Sequence, residues 1–173
     1  DQYRNSLRDG REVWIDGKKV KDVPNHPIFK PIVDIRARIY DMAHEEKFSD
    51  KLTYTDEKTK EKNCVGSKLP KSKNDWLVKR EAIKIITYEV GAIVTRMGDE
   101  TAGEMWSLYD GTDILNEVDS RFGDNIANHI QKVLKSDTFH VSANTDPKGD
   151  RSKLPQDQDP DMLLHAVKET DKG

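Results

Sequence analysis

Cysteine is nearly missing from this 173-residue sequence, where Cys64 stands alone. A single thiol excludes an internal disulfide and any cysteine-rich zinc or iron–sulfur centre built by this stretch by itself. We therefore expect no metal site and a reducing, cytoplasmic setting. Long apolar runs are missing too: nothing approaches the ~20 consecutive apolar residues that cross a bilayer. The opening Asp1-Gln2-Tyr3-Arg4 has neither the apolar core nor the flanks of a signal peptide, so a soluble protein with no membrane partner is expected. A surplus of one charge sign is the third absence. The net charge is -3 with the signs mixed along the chain, which leaves the counterion release that drives nucleic-acid binding without a source. Apolar residues are themselves sparse, at 34% against 35% charged, so much of the chain must be solvated or covered by something else. The length suits one domain, or one domain and a fragment of the next, at ~100–200 residues per domain. The first residue is not methionine, and the last three, Asp171-Lys172-Gly173, form a turn sequence after the apolar stretch Met162 to Val167. A domain rarely ends halfway round a hairpin, so a larger fold is expected.

What is present is mainly helical patterning. Between β-prone Glu12-Val13-Trp14-Ile15 and Lys18-Lys19-Val20 lies Asp16-Gly17, a hairpin signal that places a small β-ribbon within 11–20. Ile28, Ile32, Ile35, Ile39 and Met42 recur at spacings of four and three, which predicts a helix with these on one face and Asp34, Arg36, Arg38 and Asp41 on the other. From Phe48 to Lys73 the sequence is polar and lysine-rich, and reads as an exposed connection. Ser72, or Asn74, caps a helix whose stripe is Trp76, Ile83, Ile86, Val90 and Ile93, and Ser72-x-x-Asp75 resembles a capping box. Gly91 inside that stripe marks either a close approach of backbone or ligand, or tolerated strain. Helices follow over roughly 103–116, interrupted at Asp110-Gly111, and over 123–135 with Ile126, Ile130, Val133 and Leu134 inward. At Thr138 the period changes: Phe139-His140-Val141-Ser142 alternates as a strand does, and Asn144 to Gln158 is rich in turn formers. The chain thus reads as a helical domain over 1–138 followed by the opening strands of a β domain over 139–173.

The stretch Ser142 to Ser152 carries the densest chemical signal. Short side chains and Gly149 let backbone amides approach a ligand, Asn144 and the hydroxyls can bond ring heteroatoms, and Lys148 and Arg151 can face phosphate oxygens. That suits a phosphorylated, polar-ringed cofactor; an ordinary polar loop with a Pro-Lys-Gly turn has the same composition.

Four segments resemble the 4-hydroxyphenylacetate 3-hydroxylase family, which also includes 4-hydroxybutyryl-CoA dehydratase. They are Ser6 to Trp14, Asp22-Val23 with His26-Pro27-Ile28-Phe29, Asp75-Trp76-Leu77, and Thr145 to Ser152, in the family's order along the chain. The resemblance implies an acyl-CoA-dehydrogenase-like fold, with a helical amino-terminal domain, a β middle domain and a carboxy-terminal four-helix bundle that builds a homotetramer. It implies a monooxygenase to which a flavin reductase supplies reduced FAD, FMN being the alternative, and which hydroxylates an aromatic or related small molecule through a flavin C4a-hydroperoxide. The positions matching the family's flavin contacts are Ser142, Ala143, Asn144, Thr145, Lys148, Gly149, Asp150 and Arg151.

The family pattern is not complete. Where phenol-hydroxylating relatives carry an arginine and a tyrosine after a glycine matching Gly98, this sequence reads Asp99-Glu100-Thr101-Ala102-Gly103-Glu104. Asp99, Glu100 and Glu104 can receive a basic substrate group or a proton, or simply cap a helix and face water. The family's histidine falls on Ser142; His140, on the same face of a strand, can take its catalytic place, or be an ordinary structural histidine. Met105, Trp106 and Tyr109 can line a pocket, although apolar residues at helical spacing are usually core. The dehydratase branch uses two cysteines spaced four apart in this first domain, and neither is here, which favours the oxygenase. A helical interaction module that binds no flavin is the remaining alternative, separable by whether the protein takes up flavin.

Overall fold

The computed structural model describes residues 1–91 and 99–138, without the side chains of 99–101, together with 150, 152–154, 157 and 158. Contacts between Cα atoms divide the chain into two units, Asp1–His140 and Val141–Gly173.

Asp16 and Gly17 sit at φ 48° and 71°, the left-handed region that a two-residue hairpin turn demands. They join β1 (Trp14–Ile15) to β2 (Lys18–Lys19) in antiparallel register, Trp14 opposite Lys19. Before this ribbon, the short α1 (Gln2–Ser6) is held to α2 (Lys30–Met42) by Arg4, whose Nε and Nη2 both donate to the Asp34 carboxylate at 3.1 and 3.0 Å.

The buried face of α2 differs from the isoleucine stripe. Val33, Ala37 and Met42 are buried, whereas Ile28 and Ile32 are 62% and 41% exposed. Ile28 precedes the helix, and Val33 and Ala37, four residues apart, turn to the core in place of Ile32. The opposite side is not simply wet either. Arg38 is half-buried and its guanidinium serves both Glu45 and Glu89, the latter at 2.6 Å.

The lysine-rich connection turns out to be structured. It folds as α3 (Glu46–Leu52), β3 (Thr53–Thr55), β4 (Lys62–Cys64) and a 3-10 turn, Val65–Ser67, with Thr53 opposite Cys64 and Thr55 opposite Lys62. Leu52 and Val65 enter the core beside Met42, Ala82 and Ile86. The lysines crowd the hairpin tip, where Asp56 accepts the backbone N–H groups of Lys58 and Thr59, so a charged exterior hides a small apolar interior from a composition reading.

Helix α4 (Lys73–Val90) starts at the capping box. Ser72 Oγ accepts the Asp75 N–H at 3.2 Å, and the Asp75 carboxylate accepts the Ser72 hydroxyl at 2.8 Å and the Lys71 N–H at 3.0 Å. Its buried face is Asp75, Lys79, Ala82 and Ile86, while Trp76 is 60% exposed, which corrects the stripe read from Trp76. Gly91 is not interior to the helix. At φ 74° it ends α4 in the left-handed conformation and donates to the Thr87 carbonyl, and a Cβ there would meet nothing within 4 Å among the described residues. Ile93 lies outside the described residues.

Helices α5 (Asp99–Asp110) and α6 (Thr112–Val118) are separated at Gly111, and α7 (Arg121–Ser136) follows. A second apolar cluster joins Met105 of α5 to Ile130 and Val133 of α7, with Trp106, Ile126 and Leu134 against it. Met105 and Trp106 are thus core. The strand read over 139–142 lies outside the described residues.

Candidate functional site

Of the flavin-stretch positions, Ser142, Ala143, Asn144, Thr145, Lys148, Gly149 and Arg151 lie outside the described residues, as does His140. Asp150 is described. Its carboxylate accepts the Ser152 N–H at 3.0 Å and the Ser152 hydroxyl at 2.7 Å, and these bonds hold it below the usual carboxylate range. Its own N–H donates to Gln158 Oε1 at 2.7 Å. The Asp150 side chain therefore braces a local turn, and its carbonyl accepts the Lys153 N–H at 3.2 Å within the same turn.

Asp99 and Glu100 open α5, and their side chains lie outside the described residues. Acids in a first helical turn complement the amide dipoles there, the plainer of the two readings of this cluster. Glu104, one turn on, is exposed. Trp106 Nε1 donates to the Ser67 carbonyl at 3.0 Å, which ties α5 to the 3-10 turn after β4.

Among the described residues, a cavity of about 630 Å³ opens within the helical unit, a feature that no local sequence pattern announced. Arg36 and Tyr40 reach it from α2, Cys64 from β4, Lys79 from α4, Met105 from α5 and Asp137 from just past α7. Sequence separation of its parts is the reason for the miss. Tyr40 donates its hydroxyl to the Asp137 carbonyl at 2.9 Å, across 97 positions. Burial, reinforced by Asp137, pushes the phenol up to about 12. Burial likewise pushes the Cys64 thiol up, against the pull of the Gly66 and Ser67 N–H groups. Lys79 is only 7% exposed and donates to the Gly66 carbonyl at 2.7 Å. Burial lowers the Arg36 guanidinium. Burial also raises the Asp137 carboxyl. No group of three or more His, Cys, Asp or Glu able to hold a metal ion occurs among the described residues, and none of their helices is long and apolar enough to cross a membrane.

Comparison with known proteins adds the wider context. The sequence is 28% identical over 162 residues to the oxygenase component of 4-hydroxyphenylacetate 3-monooxygenase from Thermus thermophilus, covering 93% of this chain and 32% of that protein. It is 27% identical to the 4-hydroxybutyryl-CoA dehydratase/vinylacetyl-CoA-Δ-isomerase of Clostridium aminobutyricum, covering 100% of this chain and 36% of that one. The fold matches a crystal structure of the oxygenase component of 4-hydroxyphenylacetate 3-monooxygenase complexed with FAD and 4-hydroxyphenylacetate. The TM-score is 0.80 at 26% identity, over 98% of this chain and 35% of that one. The mainly helical, acyl-CoA-dehydrogenase-like fold class is shared with this neighbour. The chain spans about a third of the length of the curated relatives it matches. The family described as 4-hydroxyphenylacetate 3-hydroxylase N terminal matches residues 1–173, so the chain belongs to the 4-hydroxyphenylacetate 3-hydroxylase family.

Proposed function

We propose that this chain is the amino-terminal part of the oxygenase component of a two-component, reduced-flavin-dependent monooxygenase acting on an aromatic or related small molecule. The observation that carries this reading is the likeness, over 98% of the chain, to an oxygenase whose structure holds FAD and 4-hydroxyphenylacetate. In this reading residues 139–173 open a β domain that binds FAD, or FMN in its place. The backbone and short side chains of Ser142, Ala143, Asn144, Thr145 and Gly149 face the ring system, Asp150 braces the turn, and Lys148 and Arg151 meet the phosphates. His140 is the group placed to manage a proton near the flavin, and Asp99, Glu100 and Glu104 border the substrate. The bound flavin would supply oxygen activation as a C4a-hydroperoxide. A flavin reductase is the partner, the assembly a homotetramer and the compartment the cytoplasm.

A CoA-thioester dehydratase is the second reading, favoured by the Clostridium aminobutyricum relative. The cysteine count weighs against it: Cys64, in β4, is the sole cysteine of the chain.

Reduced FAD and FMN titrated anaerobically into the complete protein, then mixed with oxygen, should give a transient absorbance of the hydroperoxide type. Its absence with both flavins removes the monooxygenase reading. Arg151→Ala should weaken flavin binding by about 1.5–3 kcal/mol, the range for a charged hydrogen bond, and unchanged affinity takes Arg151 out of the site.

A further inference from the structure

Tyr40 joins the end of α2 to the end of α7. Its ring is half-buried and packs against Tyr3 with the centroids 5.1 Å apart, and its hydroxyl donates to the Asp137 carbonyl at 2.9 Å. Held at the ring and bonded at the tip, the phenol fixes the plane of the peptide between Asp137 and Thr138, because a carbonyl and the N–H that follows it turn as one rigid group.

That peptide is where α7 stops. Asp137 sits at φ 46° and ψ 46°, left-handed backbone that residues other than glycine rarely adopt. Its N–H and that of Thr138 both donate to the Val133 carbonyl, the latter at 3.3 Å. A helix end of this kind without glycine is weakly committed to its conformation, so the Tyr40 hydroxyl adds a hold that the local sequence lacks. Ser142, where the residues assigned to flavin begin, lies five positions beyond Asp137. An extended chain advances at most about 3.3–3.6 Å per residue, so the point of departure at Asp137 bounds where Ser142 can go.

We propose that Tyr40 is a positioning residue for flavin binding: its hydroxyl fixes the Asp137 peptide, and with it the path along which the chain leaves α7 for the flavin stretch. The proposal rests on the reading that Ser142 to Arg151 hold flavin, and adds to it a residue of α2 that acts through Asp137 rather than on the cofactor.

Reduced FAD and reduced FMN, titrated anaerobically into the full protein, test this. Tyr40→Phe keeps the ring against Tyr3 and removes only the hydroxyl, and should weaken flavin binding about fivefold or more, the low end of couplings between separate sites. Ser72→Ala removes the cap of α4 and should leave flavin affinity unchanged although it too lowers stability. Coupling is reciprocal, so in the wild-type protein saturating flavin should slow amide exchange at Asp137 and Thr138 and leave that at Asp75 as it was. A wild-type protein that takes up neither flavin ends the flavin reading, and Tyr40 then has nothing to position. Wild-type binding that Tyr40→Phe leaves intact, or that Ser72→Ala weakens as much, overturns the proposal alone. So does unchanged exchange at Asp137 and Thr138, a measurement that stands even if Tyr40→Phe does not fold.

Discussion

Helices α4 and α7 are of similar length, yet only α7 presents the face that its apolar residues predict. In α7, Ile130 and Val133 are buried against Met105, apolar surface against apolar surface. In α4, Asp75 and Lys79 are buried with Ala82 and Ile86, and Trp76 is exposed. What differs is the neighbour. The face of α4 meets the 3-10 turn Val65–Ser67, whose free carbonyls require donors, and Lys79 supplies one to Gly66. Where α4 meets the loop it buries Lys79 to complete a hydrogen bond, and where it meets α2 and α3 it buries Ala82 and Ile86, as α7 buries Ile130 and Val133 against α5.

The largest test of that contrast is Ile130→Ala, which should cost about 2–5 kcal/mol by loss of burial and a residual cavity, read as a lowered urea midpoint. A cost under about 1 kcal/mol would mean that α7 is not held by its apolar face. Next are the two amino-terminal serines. Ser72→Ala should cost about 1 kcal/mol because Ser72 caps α4. Ser120→Ala should stay within about 0.5 kcal/mol because Ser120 makes no side-chain cap to α7. Equal costs would erase the distinction. The finest test is acid. Lys68 foremost, then Ser72 and the Lys71 N–H, hold the Asp75 carboxyl well below its ordinary value of 3.8. The folded protein therefore binds this proton less readily than the unfolded chain, so the cluster's stabilisation is present above about pH 4 and is lost as pH falls through the lower folded value. Urea midpoints measured from pH 7 to pH 2 should fall less steeply in Asp75→Asn than in the wild type; identical slopes would dismiss the cluster as the source.

The same contrast explains what the sequence disclosed. Asp16-Gly17, Ser72-x-x-Asp75 and the α7 stripe are local signals whose physics is complete within a few residues, and each corresponds to an observed element. The β3–β4 hairpin was hidden because the lysines at its tip outweighed Leu52 and Val65 in a composition reading. The expected face of α2 holds at Ile39 and Met42, which join the core, and fails at Ile28 and Ile32, where Val33 and Ala37 are buried instead. The cavity was invisible for a different reason: its parts come from α2, β4, α4, α5 and the end of α7, and only the fold brings them together. The flavin stretch is read through Lys148, Gly149 and Arg151, which lie outside the described residues, and Asp150 alone of its assigned residues has a described side chain, which serves its own turn.

Arg38 carries one further lesson. From α2 it reaches Glu45, the residue that starts α3, and Glu89, in the last turn of α4. One flat, forked cation thus serves as the common hinge-pin of three helices, a duty that the compact ammonium of lysine, able to sit squarely against only one carboxylate, would leave half done.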